Sequence, residues 1–570
     1  MRMKGLEPPR LSASDPKSDA ATNYATSARI VRRCKNTIFF QIFHIFLNKK
    51  NEFILYICID LFFTDMTELR KYFLLFFLSI FSCYVFSQSL IGTQSNYAGS
   101  RSLSMNPALM STSYLYSDLS IATTGFSFFN DFAYLKSKDF NKLLFSEGHT
   151  IPSYTMYGEN YNFLIYDNPN MKPKKLYESL DVNMLSLMYT LDTKQNIGFS
   201  INARVYTSGT DIPYELPELC ALKIEGNDFL LGYYQSSGAK AATMEWAELA
   251  MSYSRKVYDR YLNRIDVGAS VKYLLGYSAA AVNIDNLDYE VIHKDTIMVN
   301  NIDSYIAYSL PLNYDADFVS GTVFDSSPVR GNGIALDLGF SFLRKKSIVY
   351  NTPRFVSACL MQKVDYSWRL SVSLMDLGFI NFGKNAVDNR FLSEQTLQFN
   401  KRIFDNIDSF GDMINSLSGI YYDGDMSASL IGNSFKMGLP TTLRLQFDYN
   451  VVKCFYVNAT VIQPINLFKY SVKAASQLMV EPRFESRYFD FCMPLSLRNY
   501  KHFMLGASAR IGFITMGTHN LVSYLGIGDT NGMDFFISLK INFAKGGCNE
   551  NKYDACWSAD YGKYENRRRQ

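Results

Sequence analysis

Hydrophobic and polar positions alternate in segment after segment of this chain. In NIGFSINARVY, which starts at Asn196, Ile197, Phe199, Ile201, Ala203 and Val205 share one parity. Gly198, Ser200, Asn202, Arg204 and Tyr206 share the other. Successive strand side chains point to opposite faces, so the pattern predicts one apolar and one polar face. The period recurs at Ile265, Val267, Ala269, Val271, Tyr273 and Leu275 against Asp266, Gly268, Ser270 and Lys272. It recurs again around Asp337, Arg369, Arg444, Asp448, Arg510 and Lys540, each on the polar parity of its segment. Strands are expected near 118–129, 183–191, 196–207, 245–257, 264–279, 333–343, 366–381, 439–450, 453–465, 485–496, 502–512, 514–526 and 533–543.

An alternating chain can fold as a soluble sandwich or as a membrane barrel. Three features point to the barrel. The expected strands are long, against about 5–6 residues in soluble domains. Tyr and Phe gather near strand ends, as in an interfacial girdle, and Gly and Ser crowd the polar face. The fold class predicted is all-β, a transmembrane antiparallel β-barrel of about 14 strands with an N-terminal lumen segment and short loop helices. The strand that would complete an even number is expected near 132–136 or 354–362. The short turns at 192–196 and 499–501 are expected on the periplasmic side. Segments 208–244, 280–332 and 383–434 are expected to be extracellular or plug-like, with a short helix in 403–417.

Composition fits this picture. Aromatic residues make up 15% of the chain and charged residues only 19%. The net charge of +4 and the lack of a basic block before Arg567 give no reason to expect a nucleic-acid partner. The stretch MTELRKYFLLFFLSIFSCYVFSQ, from Met66, has a basic head, an apolar run and small residues before Gln88. That order predicts a signal peptide over 66–87 and export to the bacterial outer membrane. Residues 1–65 are expected to be a gene-model extension, because the signal starts at an internal Met. Residues 88–117 are then an N-terminal lumen or plug segment, 118–543 the barrel and 544–570 a polar tail. Cys548 and Cys556 are the only close pair in the mature chain and are able to join in an oxidising compartment.

Catalytic and metal-binding patterns are missing. His149, His293, His502 and His519 show no metal-type spacing, and no nucleophile elbow or phosphate loop occurs. The acidic turn GDTNGMD (528–534) is read as a hairpin turn with Asn531-Gly532 at its tip rather than as a calcium loop. The chain is therefore expected not to be an enzyme and to need neither metal nor cofactor. The chemistry lies in the lumen charges Arg204, Asp266, Lys272, Asp337, Arg369, Arg444, Asp448, Arg510 and Lys540. An Arg or Lys facing lipid at mid-membrane costs about 2–4 kcal/mol, which enforces their parity. Their mixed signs point to ion-paired struts rather than to a single-sign selectivity ring.

The segment NYAGSRSLSMNPALMS (96–111) places Asn106-Pro107-Ala108 ahead of the first strand. This resembles the N-terminal segment of FadL-like outer-membrane proteins. WAELAMSYSRKV, IDVGASVKYLLGY, GNGIALDLGFSF, WRLSVSLMDLGFINF, LPTTLRLQFDY and GIGDTNGMDFFISLKINF, in that order, resemble an uncharacterised Bacteroidetes outer-membrane β-barrel family of the domain-of-unknown-function type. FadL-like transporters and type IX secretion-shuttle barrels are its distant relatives. The resemblance implies a barrel whose N-terminal segment enters the lumen, with Asn106, Pro107 and Ala108 at the turn of the plug. It implies a protein that binds or passes a hydrophobic small molecule. The other reading is a non-transporting scaffold or shuttle for a secretion or surface partner protein. Outer-membrane lipid is an expected partner in both cases.

Overall fold

The computed structural model describes residues 90–135, 172–214, 232–293, 296–314, 328–346, 365–400, 409–525 and 527–543, with short strands at 154–156, 159–161 and 165–167. The expected signal, the preceding segment and the C-terminal tail lie outside the described residues, as does 354–362.

Fourteen antiparallel strands close on themselves. We number them β1 (Ser117–Asn130), β2 (Lys174–Thr190), β3 (Gln195–Ile212), β4 (Gly232–Arg260), β5 (Asn263–His293), β6 (Gly331–Lys345), β7 (Tyr366–Phe382) and β8 (Thr442–Val452). Then come β9 (Phe455–Pro464), β10 (Gln477–Glu485), β11 in two pieces (Phe489–Cys492 and Leu495–Arg498), β12 in two pieces (His502–Leu505 and Ala507–Ile511), β13 (Ile514–Thr518) and β14 (Gly532–Phe543). Closure runs through β1 and β14, with Ser117 opposite Phe543 and Phe129 opposite Gly532.

The apolar parity faces outward. Ile197, Val267, Val271, Ile334, Leu338, Leu445, Phe447 and Ile541 are exposed, whereas Asp266, Asp337, Asp448 and Lys540 beside them are buried. Tyr116, Tyr189, Tyr253, Tyr261, Tyr449 and Tyr488 stand at the strand ends that carry the short turns. The Tyr116 and Tyr189 hydroxyls meet at 2.9 Å, and the Tyr253 hydroxyl donates to Gln195. An amphipathic ring with its hydroxyl at the strand end suits an interface between hydrocarbon and water.

Several local expectations need correction. The strand absent from the sequence reading is β10, Gln477–Glu485, and residues 133–135 pair with 165–167 apart from the barrel. Pro482 lies within β10, and proline is normally excluded from a paired ladder. It is tolerated because β11 breaks opposite it, at Met493-Pro494, and the Pro482 carbonyl accepts the Met493 N–H. The turn at 499–501 opens at the end bearing the long connections, because strands alternate in direction around the barrel. The stretch 514–526 is not one strand: β13 stops at Thr518, and Leu521–Tyr524 is helical. The loop helix α1 spans Phe410–Tyr421 with Ser409 as its N-cap, seven residues later than 403.

The described residues of 208–244 and 280–332 are largely strand rather than loop. β4 and β5 run for 29 and 31 residues, where about 9–11 cross a membrane. Their far halves pair with each other, and that of β5 pairs with Thr296–Ser309, which in turn pairs with Ala386–Ser393 and Leu397–Asn400. This sheet extends past the barrel rim and has its own apolar clusters, one around Leu287, Tyr289, Val291 and Val299, another joining Tyr308 and Phe391 to Ile414 of α1.

Candidate functional site

Three layers fill the lumen, and a single strand records their order. Along the inward face of β5, Gly268 touches the N-terminal segment, Lys272 belongs to a charged layer and Leu274 to an apolar one.

The first layer is residues 90–116, which run inside the barrel as two short 3-10 turns, Gly99–Ser104 and Pro107–Thr112. Asn106 caps the second turn: its Oδ1 accepts the Ala108 N–H at 2.9 Å. Its Nδ2 donates to the carbonyls of Phe340 and Val372 on β6 and β7, at 3.3 and 3.2 Å. Proline suits the position after this cap, because its missing N–H would have had no partner there. Gly268 and Gly339 face each other across β5 and β6. A Cβ on Gly268 would sit 2.5 Å from Ala108 N, and one on Gly339 2.1 Å from Asn106 Oδ1. The Asn-Pro-Ala turn therefore occupies a window cut by two paired glycines.

Basic side chains of the wall hold the segment by its carbonyls. Lys540 Nζ donates to Tyr97 O at 2.6 Å and Ala98 O at 2.7 Å. Arg369 donates to Gln94 O at 2.8 Å and to Thr112 Oγ1 at 3.0 Å. Arg264 reaches Ser111 O, and Arg444 reaches Ser104 O. Acids take the N–H groups: Asp118 binds Ser100, Glu481 binds Gly92 and Glu485 binds Asn96. Arg264 is itself paired with Asp266, Lys540 with Asp118, and Arg369 shares Asp448 with Arg483. Arg510 pairs with Asp490, which also accepts the Ser95 hydroxyl. Hydrogen bonds to charged groups contribute about 1.5–3 kcal/mol each, more than neutral ones.

The second layer is charged. Arg204 binds Asp181 at 2.6 Å, Asp376 at 3.0 Å and Glu248 at 3.4 Å. Lys272 binds Asp376 at 2.6 Å and Asp337 at 2.8 Å. These groups line a cavity in the lumen. Ser100, Leu103 and Ser104 of the N-terminal segment line it on one side, and Lys473–Ala475 on another.

The third layer is apolar and closes the lumen above. Trp246, Leu274, Ile380 and Phe382 of the wall pack with Phe435, Met437, Leu439, Tyr470 and Val472. Phe435 and Met437 lie on Phe435–Gly438, which extends the β8 ladder along β7 in the same register, and Leu439 follows it. Tyr470 and Val472 come from the connection after β9, where Tyr470–Ser471 runs parallel to Met437–Gly438.

All the charged positions named from parity are thus buried inside the barrel. They divide into two groups. Arg369, Arg444 and Lys540 touch the N-terminal segment directly, Asp266 and Asp448 support its cationic anchors, and Arg510 pairs with Asp490, which accepts from Ser95. Arg204, Lys272 and Asp337 meet in the second layer. Parity reasoning missed Asp181, Glu248 and Asp376. Glu248 was legible in WAELAMSYSRKV, since it shares parity with Ser252 and Ser254. Asp376 needs a bulge: the register slips between β6 and β7 at Leu336/Leu338, and Asp376 adopts φ 57°. Met375 and Asp376 both end up buried, so the inward parity flips mid-strand. Its trace in the sequence is that Leu370, Val372 and Leu374 give way to Leu377 and Phe379. Among the described residues no group of three His, Cys, Asp or Glu side chains is placed to hold a metal ion. Asp534, from the acidic turn, instead accepts the His519 N–H at 2.7 Å.

A family model matches residues 107–519, from the Asn-Pro-Ala turn to the last connection. The chain belongs to the family of unknown function DUF5723. Among solved structures, this DUF5723 barrel is similar to the Pseudomonas putida toluene transporter TodX, at 10% identity and TM-score 0.28, covering 80% of this chain and 100% of that one. It is similar to the Ralstonia pickettii toluene transporter TbuX, at 8% identity and TM-score 0.27, covering 78% and 94%. A Pseudomonas aeruginosa FadL homologue matches at 7% identity and TM-score 0.20, covering 79% and 96%. Likeness at this level carries no inference about substrate. No curated protein matches the sequence.

Proposed function

We propose that the protein is an outer-membrane β-barrel, FadL-like in plan, that is sealed at rest and admits a small molecule into its lumen when the seal rearranges. The carrying observation is the space between two closures: a cavity lined by Arg204, Lys272 and Arg444, with the N-terminal segment beneath and the Trp246–Phe382–Phe435 layer above. A barrel of about fourteen strands would leak without such filling. Irregular backbone at membrane depth is tolerable because barrel wall surrounds it. The ligand envisaged has an apolar body for the aromatic layer and meets polar groups lower down. Deleting residues 92–110 should raise single-channel conductance in planar bilayers. Unchanged conductance in a correctly inserted variant would remove the plug from the account. Membrane residence has its own check: Val267→Arg, on the outer face, should cost about 2–4 kcal/mol if Val267 lies near the midplane.

A second reading, a scaffold or shuttle for a secretion or surface partner, is favoured by the sheet beyond the rim. Its exposed Tyr233, Ile292, Leu430 and Ile431 are not needed to cross a membrane. Proteomics and lipidomics on the same natively extracted sample separate the readings. Retained small molecules support the first, and a stoichiometric protein partner supports the second.

A further inference from the structure

The cavity's walls are chemically unlike. On the β2–β7 side, the carboxylates of Asp181, Glu248, Asp337 and Asp376 are already held by Arg204, Lys272 or both. The β8–β11 side differs. Arg444 stands opposite Ile462, Ile462 opposite Gln477, and Gln477 opposite Arg498, so one inward row crosses four strands. Arg444, Gln477 and Arg498 all line the cavity, as does Lys473. Among the described residues neither Arg498 nor Lys473 forms an ion pair; Arg498 donates to Ser127 Oγ at 3.2 Å and Lys473 to Thr210 Oγ1 at 3.1 Å. Arg498 and Gln477 are 8% and 9% exposed, yet Arg498 Nε and Gln477 Nε2 have no hydrogen-bond partner.

Asp534 also lines the cavity, but its carboxylate is engaged by His519, through the backbone N–H at 2.7 Å and the ring at 2.9 Å, and makes no ion pair with Arg498. A buried guanidinium without an ion-pair partner is costly, as is a buried donor without an acceptor. Neighbouring strands lie about 4.8 Å apart, so the donors of Gln477 and Arg498 are within reach of a single acceptor group. We propose that Gln477 and Arg498 seat the oxyanion, carboxylate or phosphate, of the small molecule that the lumen takes. Arg444, two strands away from Gln477, and Lys473 add positive potential. Guanidinium groups match both oxyanions in geometry. The inference rests on the reading of the lumen as a small-molecule site, and it adds the ligand's charge class.

The test is equilibrium dialysis of the intact, natively extracted barrel with benzoate, benzyl alcohol and inorganic phosphate. Benzoate should bind more tightly than benzyl alcohol. Arg498→Gln should weaken benzoate by about tenfold or more, as expected for loss of a charged hydrogen bond, and leave benzyl alcohol unchanged. Gln477→Leu should act in the same direction and carries the test if Arg498→Gln fails to insert. Phosphate that displaces benzoate assigns the seat to phosphate-bearing ligands as well; phosphate that does not restricts it to carboxylates. Equal benzoate binding by wild type and both variants overturns the proposal while benzyl alcohol binding keeps the lumen reading. Absence of binding by either aromatic probe in the wild type overturns both.

Discussion

The floor and the roof of the lumen close the same barrel by opposite means. The floor is a chain segment gripped through its backbone, by Lys540, Arg369, Arg264 and Arg444 on carbonyls and by Asp118, Glu481 and Glu485 on N–H groups. The roof is made of apolar side chains of the wall itself and of the connection after β9, packed on Trp246 and Phe382. The floor also buries Ile91, Tyr97, Leu103 and Met110, but against only a few wall side chains, Met188, Cys492 and Phe536. Its many hydrogen bonds can be exchanged with water one by one. Apolar layers are lost together and take strand ends with them. On the function proposed above, the floor is the movable closure and the roof the structural one.

The strongest challenge to this contrast is Gly339→Val. Its side chain would enter the space of Asn106 Oδ1, so the N-terminal segment should be displaced while the barrel stays closed. Limited proteolysis should then cut within 96–110 much faster, with heat-modifiability on gels retained. Loss of heat-modifiability would show that floor and wall are one unit. Next, Phe382→Ala should cost about 3–5 kcal/mol, the usual range for a buried aromatic. Denaturant titration in detergent should show that loss, with proteolysis of 96–110 unchanged. The smallest effect is expected from Asn106→Ala, which removes two long hydrogen bonds to the wall and one cap, about 1 kcal/mol for the cap. It should loosen the segment measurably in hydrogen exchange without raising conductance.

The legible part of this architecture is what period two encodes. Leu443, Leu445, Phe447 and Tyr449 against Arg444, Gln446, Asp448 and Asn450 define a strand and its faces without further information. The barrel, its strand number and the inward charges follow from such stretches. Where the ladder breaks, the reading failed. Pro482 hid β10, since a proline is acceptable there only because β11 is interrupted opposite it, a fact of another strand. The bulge at Asp376 reversed parity and concealed a charge that joins Arg204 to Lys272. The far halves of β4 and β5 read as loops because their small and polar residues, such as Ala279–Ala281, pack against other strands and not against lipid. Which charges grip the N-terminal segment and which grip each other was not legible, because parity gives the face and not the height.

The central claim is that residues 96–112 lie against the lumen wall. Ser111 Oγ and Ser254 Oγ are 2.9 Å apart, one on the segment and one on β4. The pair Ser111→Cys and Ser254→Cys, in a background freed of the natural mature-chain cysteines, tests the placement directly. Mass spectrometry after mild oxidation should find the two joined by a disulfide in the inserted barrel. Two free thiols in a barrel that is correctly inserted would contradict the account.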